Sequence, residues 1–221
     1  MGELLPPNPL VDAYRRHGLT WFPEAGFGYF ECVGAPYDQE YFDRYAAQGE
    51  TEIGKALNRF RCEIVARYWG GEILDVGVGS GAFLQAREGA CRAALAADDR
   101  GFDINPAGVA WLGKRGKFGD LYQAGAWDAV TFWDSLEHIR RPDLALAKVG
   151  FMAFVSIPIF EGPDHVLRSK HFRRDEHYFY FTRAGFLAWT QAQGFECLDV
   201  RATESALGRE GIETFVLRRI L

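Results

Sequence analysis

The sequence predicts an α/β domain built on a doubly wound, mostly parallel sheet, and three observations carry that expectation. Ile73, Leu74 and Val76 form a short apolar run of buried-strand type, which breaks into Gly77, Gly79 and Gly81 before the helix-forming residues 82–87. A second strand ending near Phe102 leads to Asn105, placed to cap a helix, with Pro106 at its first position. Strand and helix signals then continue to the C-terminus, and 221 residues suffice for one full core of this kind without a second catalytic domain.

Taken in order, residues 1–50 are rich in proline, glycine and aromatics without a sustained helical period, and read as a loop-rich extension that could serve as a lid; residues 51–221 form the main domain. Tyr37, Tyr41, Phe42 and Tyr45 precede a helix from Thr51 through Arg67, whose Ile53, Ala56, Leu57, Phe60, Ile64 and Val65 make one buried face. Beyond the glycine-rich turn, the pattern predicts a helix over 142–149, a strand over 151–159 and a loop from 160 to 181. Thr182 caps a helix over 183–193 that Gly194 ends, and residues 195–201 and 212–220 alternate as strands.

Composition narrows the function classes. The formal charge is −5, from 30 acidic and 25 basic residues, and no basic run exceeds two residues, which disfavours a nucleic-acid substrate. The four cysteines, Cys32, Cys62, Cys91 and Cys197, form no C-x-x-C pair, so reduced thiols and a cytoplasmic setting are expected, without a zinc ribbon or disulfide framework. Neither a signal peptide nor a membrane-spanning helix is predicted.

The glycine-rich turn admits two cofactors. As Gly77-x-Gly79-x-x-Ala82 it fits a dinucleotide fingerprint, with Asp103 at about the distance expected of a ribose-binding acid. As Asp75-x-Gly77-x-Gly79-x-Gly81 it resembles motif I of the class I S-adenosylmethionine-dependent methyltransferases. The acid two residues before the first glycine favours the second reading. A carboxylate there is costly beside dinucleotide phosphates but suits a ligand that carries an ammonium and a sulfonium.

Downstream residues fall in that family's order. Asp103 with Ile104 match the acid that holds the ribose hydroxyls and its apolar neighbour, and Asp120 with Leu121 match the turn after the third strand, which meets the adenine. Residues 127–138 resemble the fourth strand and the Leu-Glu-His signature of a subgroup that includes ubiquinone-biosynthesis O-methyltransferases. The resemblance implies S-adenosylmethionine as cofactor and a seven-stranded sheet with an antiparallel last strand. It places Asp75, Gly77, Val78 and Gly79 at the methionine end and Asp134 with Ser135 on the sulfonium side. Some similar proteins begin with a zinc ribbon; here only Cys32 stands in that region, so that metal is not carried over.

Methyl transfer is an in-line displacement, so the protein must align the acceptor, exclude water and, for a hydroxyl, remove a proton. His138 is a candidate base by residue type, and His171 and His177, in the loop above the sheet's C-terminal edge, compete with it. Arg168, Lys170, Arg173 and Arg174 share that loop and could bind an anionic acceptor, or all these groups could be solvated loop charges. Histidines recurring every six residues do not match common zinc spacings, and no metal is expected. The Asn/Asp-Pro-Pro-aromatic motif of DNA amino-methylating enzymes and the Pro-Cys nucleophile of cytosine-C5 enzymes are missing. A small-molecule, sugar or lipid-type acceptor remains, with oxygen as the favoured atom by resemblance.

Overall fold

The computed structural model describes residues 18–32, 37–90 and 98–220. Cys91 and the beginning of the proline-rich extension lie outside those residues. The central sheet contains β3 (Leu74–Val76), β4 (Arg100–Phe102), β5 (Trp127–Trp133), β6 (Val149–Pro158), β8 (Phe195–Arg201) and β9 (Ile212–Arg219), in the order β4-β3-β5-β6-β9-β8. Strands β4, β3, β5 and β6 pair in parallel, whereas β9 runs antiparallel to β6 and to β8. The sheet is thus mainly parallel with an antiparallel last strand. The expected third strand is reduced to a single parallel bridge between Gly101 and Phe118, because the chain passes there between Gly116, in a left-handed turn, and the tightly packed Gly119.

Helices cover both faces, as a parallel sheet requires. On one side α2 (Glu52–Tyr68), α3 (Ala82–Ala90) and α4 (Pro106–Lys114) bury Cys62, Ile64, Val65, Phe83, Leu84 and Leu112 against the strands. On the other lie α5 (Pro142–Leu146) and α7 (Arg183–Ala192), whose Ala145, Leu146 and Phe186 join the larger apolar cluster. Two caps act as the sequence predicts, Asn105 accepting from the Ala107 amide and Thr182 from Gly185, and Thr51, expected as the first helical residue, is itself a cap that accepts from the Gly54 amide. Helix α5 ends earlier than predicted because the chain is already in β6 at Val149.

Two segments read as loops carry regular structure. Within the N-terminal extension, β1 (Leu19–Phe22) and β2 (Phe27–Phe30) form a hairpin, followed by α1 (Gln39–Gly49). The predicted loop 160–181 contains α6 (Pro163–Arg168) and β7 (Phe179–Phe181), and β7 pairs antiparallel with β2 to complete a separate three-stranded sheet. The hairpin turn is locked onto α7, since Gly26 O accepts from both the amide and the hydroxyl of Thr182, at 2.8 and 2.9 Å. Gly185 makes this approach possible: a Cβ there would lie 2.1 Å from Gly26 O. No described helix is long and apolar enough to cross a membrane.

Candidate active site

The strand order reverses between β3 and β5, since β4 pairs on one side of β3 and β5 on the other. Ligands of open α/β sheets bind at such a point, beyond the carboxyl ends of the strands. The glycine-rich turn leaves β3 there, and Asp134 and Ser135 leave β5 beside it. Gly77 has φ +78°, and a Cβ on it would sit 2.7 Å from Ser135 Cβ, so the two turns touch. The Ser135 hydroxyl donates to Val76 O at 2.6 Å, closing the last carbonyl of β3.

The Asp103 carboxylate braces the turn from the third side. Its Oδ2 accepts from the Gly79 amide at 3.0 Å and its Oδ1 from the Asn105 amide at 2.8 Å. Burial raises its pKa, and those backbone bonds work against the rise. Each carboxylate oxygen keeps a second lone-pair direction, enough to accept ribose hydroxyls. Next to it Ile104 is 69% exposed, an apolar side chain at the rim of the site. An added Cβ on Gly79 would meet only Tyr45 Cβ, at 3.9 Å, which leaves room over this amide for a ligand. The residues thus fit an adenosine-bearing cofactor.

Other predicted contacts are placed differently. Val78 and Leu121 are buried in the core, so only their backbone can meet a ligand. The exposed apolar groups beside exposed Asp120 are Phe118 and Tyr122, both in ring contact with Phe102. Asp75 lies beneath the turn, hydrogen-bonded by the Thr131 hydroxyl at 2.6 Å, and burial pushes its carboxyl up to about 7.

Asp134 has φ +52°, the one positive-φ residue other than glycine among the described residues. Its amide donates to Ser156 O at 2.9 Å, and Arg61 Nη2 reaches Oδ2 at 3.2 Å, with Arg209 also bound to that oxygen. Burial alone would raise this acid, but the two guanidinium groups hold it below the ordinary carboxylate range. Both arginines also bind Glu204, on α8 (Thr203–Ala206), whose Oε1 accepts from Arg61 Nε and from the Ser156 hydroxyl at 2.8 Å. Sequence reasoning missed this network. A signal existed: Arg61 falls between Leu57 and Val65 at helical spacing, on the face the apolar pattern assigns to the core.

Beyond Asp134 the chain makes a 3-10 turn, Leu136–His138, against which the His177 segment packs through a Tyr178 amide bond to Glu137 O at 2.9 Å. The His138 and His177 rings stand edge to face, 4.5 Å apart between centroids. One ligand atom from each of Glu137, His138 and His177 lies within 4.8 Å of the others. Tyr37 places its hydroxyl 3.1 Å from His138 Nδ1. Burial lowers His138 to about 4, depresses His177 and pushes Glu137 up. His171 stands apart, its Nε2 bonded to Glu210 O at 2.8 Å. Of the loop cations, Arg173 pairs with Glu176 and Lys170 with Glu210, so two already have acid partners.

A family model described as a methyltransferase domain matches residues 45–200. The chain belongs to this family. The methyltransferase is accordingly an enzyme that takes its methyl group from S-adenosylmethionine, and the dinucleotide reading of the glycine turn is set aside. Solved structures share its fold. The [4+2]-cyclase SpnF matches with 17% identity and a TM-score of 0.56, over 78% of this chain and 84% of that one. The 1,6-didemethyltoxoflavin-N1-methyltransferase of Burkholderia thailandensis, crystallised with S-adenosylhomocysteine, matches with 15% identity and a TM-score of 0.53, over 82% and 84%. Magnesium protoporphyrin IX methyltransferase of Synechocystis PCC 6803, also with bound S-adenosylhomocysteine, matches with 12% identity and a TM-score of 0.53, over 83% and 96%. No curated protein matches the methyltransferase in sequence.

Proposed function

We propose that this methyltransferase transfers the methyl group of S-adenosylmethionine to a hydroxyl oxygen of a small-molecule, sugar or lipid-type acceptor. The observation that supports the reading is the cluster of Glu137, His138 and His177 directly beyond Asp134 and Ser135, a set of groups that could accept a proton from an acceptor bound there. An amine acceptor with a free lone pair needs less help, whereas a hydroxyl must lose its proton as the new bond forms.

The donor supplies a carbon already activated by its sulfonium. In this reading Asp103 accepts from the ribose hydroxyls, Ile104 packs on the adenine, Asp120 accepts from the adenine amino group and the Gly77 and Gly79 turn takes the methionine end. Val78 and Leu121 contribute backbone contacts alone. The paired imidazoles of His138 and His177 would face the acceptor, with the Tyr37 hydroxyl against His138 Nδ1. His171, tied to Glu210 O, is left out of the proton path.

The test is a methylation assay with methyl-labelled donor and a panel of phenols, sugars and long-chain alcohols, each beside its amine analogue. Labelled ethers, with loss of rate but not of donor binding in H138A or H177A, are the expected result. Transfer to the amines alone, or donor binding without transfer to anything, overturns the oxygen assignment.

A further inference from the structure

Among the described residues the Glu137 carboxylate has no hydrogen-bond partner. The side chain is 1% exposed, and neither oxygen receives a hydrogen bond. The same holds for Nδ1 of His177, a residue only 4% exposed. Buried polar atoms are almost always satisfied, and a carboxylate left bare inside a protein is especially costly. The cations nearest to Glu137 are engaged elsewhere: Arg209 binds Asp134 and Glu204, and Arg173 binds Glu176. Among the described residues nothing supplies the missing partner, and a bound cation would satisfy both Glu137 and His177.

We propose that Glu137, His138 and His177 form a binding site for a divalent transition-metal ion. Two imidazoles and one carboxylate are a three-residue donor set of the kind that leaves a coordination position open, and they suit zinc, manganese, iron or cobalt rather than calcium. The donor atoms, within 4.8 Å of one another, need to draw together only by about 1 Å to hold an ion at bonds of roughly 2.0–2.2 Å. The outer contacts that orient such ligands are in place. The Tyr37 hydroxyl lies against Nδ1 of His138, and the Tyr178 amide donates to Glu137 O, tying the His177 segment to the turn. The histidines of the 160–181 loop have no metal-binding spacing by themselves; the fold adds His138 and Glu137 from just beyond β5.

The place of the ion beside the acceptor rests on the reading given under Proposed function. There it would bind the acceptor hydroxyl and lower its pKa so that the proton leaves to water as the methyl group is transferred, the histidines holding the ion. The binding itself does not depend on that reading.

The experiment is titration of chelator-treated full-length protein with Co²⁺, followed by visible absorption, and with Zn²⁺, followed by calorimetry. One equivalent is expected, with ligand-field bands and a rise in melting temperature. E137Q and H177A should each weaken binding by about 100-fold or more, at least the loss seen when outer contacts alone are removed. H165A, outside the cluster, should bind as the unaltered protein does. Melting curves without metal separate a lost ligand from a lost fold, and H138A repeats the test if either variant unfolds. Absence of stoichiometric binding, or unchanged affinity in folded E137Q and H177A, overturns the proposal. Metal binding without transfer to any hydroxyl would overturn the acceptor assignment alone; oxygen methylation by protein that binds no metal would overturn only the metal site.

Discussion

Thr131 donates its hydroxyl to Asp75 at 2.6 Å, across the register pair that joins β5 to β3. The bond works against burial, which nonetheless holds the carboxyl up at about 7. An unfolded chain would release this proton near 3.8. Between those values the folded state binds more protons, so the contribution of Asp75 to stability falls as pH rises through the window and is level above it. Asn in place of Asp75 can still accept from Thr131 but cannot titrate. Urea unfolding of D75N from about pH 4 to pH 8 should therefore lack the decline attributable to this residue. An identical pH profile in the two proteins would mean that Asp75 ionises normally.

Asp103 braces the Gly79 amide and, in the proposed reading, also accepts from the donor. D103A should weaken S-adenosylmethionine binding by about 1.5–3 kcal/mol, the scale of a charged hydrogen bond. Calorimetric titration gives the number directly, and unchanged affinity would remove Asp103 from the ribose site.

Gly77 tests the contact between the two turns. Alanine there combines a left-handed backbone, at φ +78°, with a Cβ 2.7 Å from Ser135. The backbone part alone costs about 1–2 kcal/mol. G77A should be destabilised by at least this much, and S135G should recover part of the loss but not all of it. Denaturation midpoints of the single and double variants check both statements.

Arg61 and Glu204 tie α2 to the end of the sheet through bonds of 2.8 and 2.9 Å. The removal of one partner of a buried ion pair typically costs about 3–5 kcal/mol, because the other is left uncompensated. R61M should approach that figure, even with Arg209 still in place, while the double variant R61M/E204Q should lose less than the two single losses added together. Additive losses would show that the pair is not coupled.

Much of this architecture was legible because its signals are local. Asn105 with Pro106 starts α4, Thr182 and Gly194 bracket α7, and the glycine run ends β3, each within a few residues of chain. The hairpin β1–β2 was not legible. Its strands are four residues each, Gly28 interrupts the second, and the aromatic faces that stabilise it include Phe179 and Phe181 from far along the sequence. The same reason hid the network of Arg61, Asp134, Glu204 and Arg209, whose charges are matched only once three distant segments meet. Leu121 shows the opposite failure: the residue type suited an adenine contact, but burial claimed the side chain for the core.

The lock between Gly26 and Gly185 also sets a timetable for the ribosome. Strand β2 pairs with β7, about 150 residues later, and at about 5–20 residues per second this partner emerges roughly 8–30 s after it. Throughout that interval the hairpin offers an unpaired edge and a row of exposed phenylalanines to whatever is nearby. The nascent chain is thus most exposed to aggregation and to chaperone capture before residue 181 is made. Only then can the small sheet close.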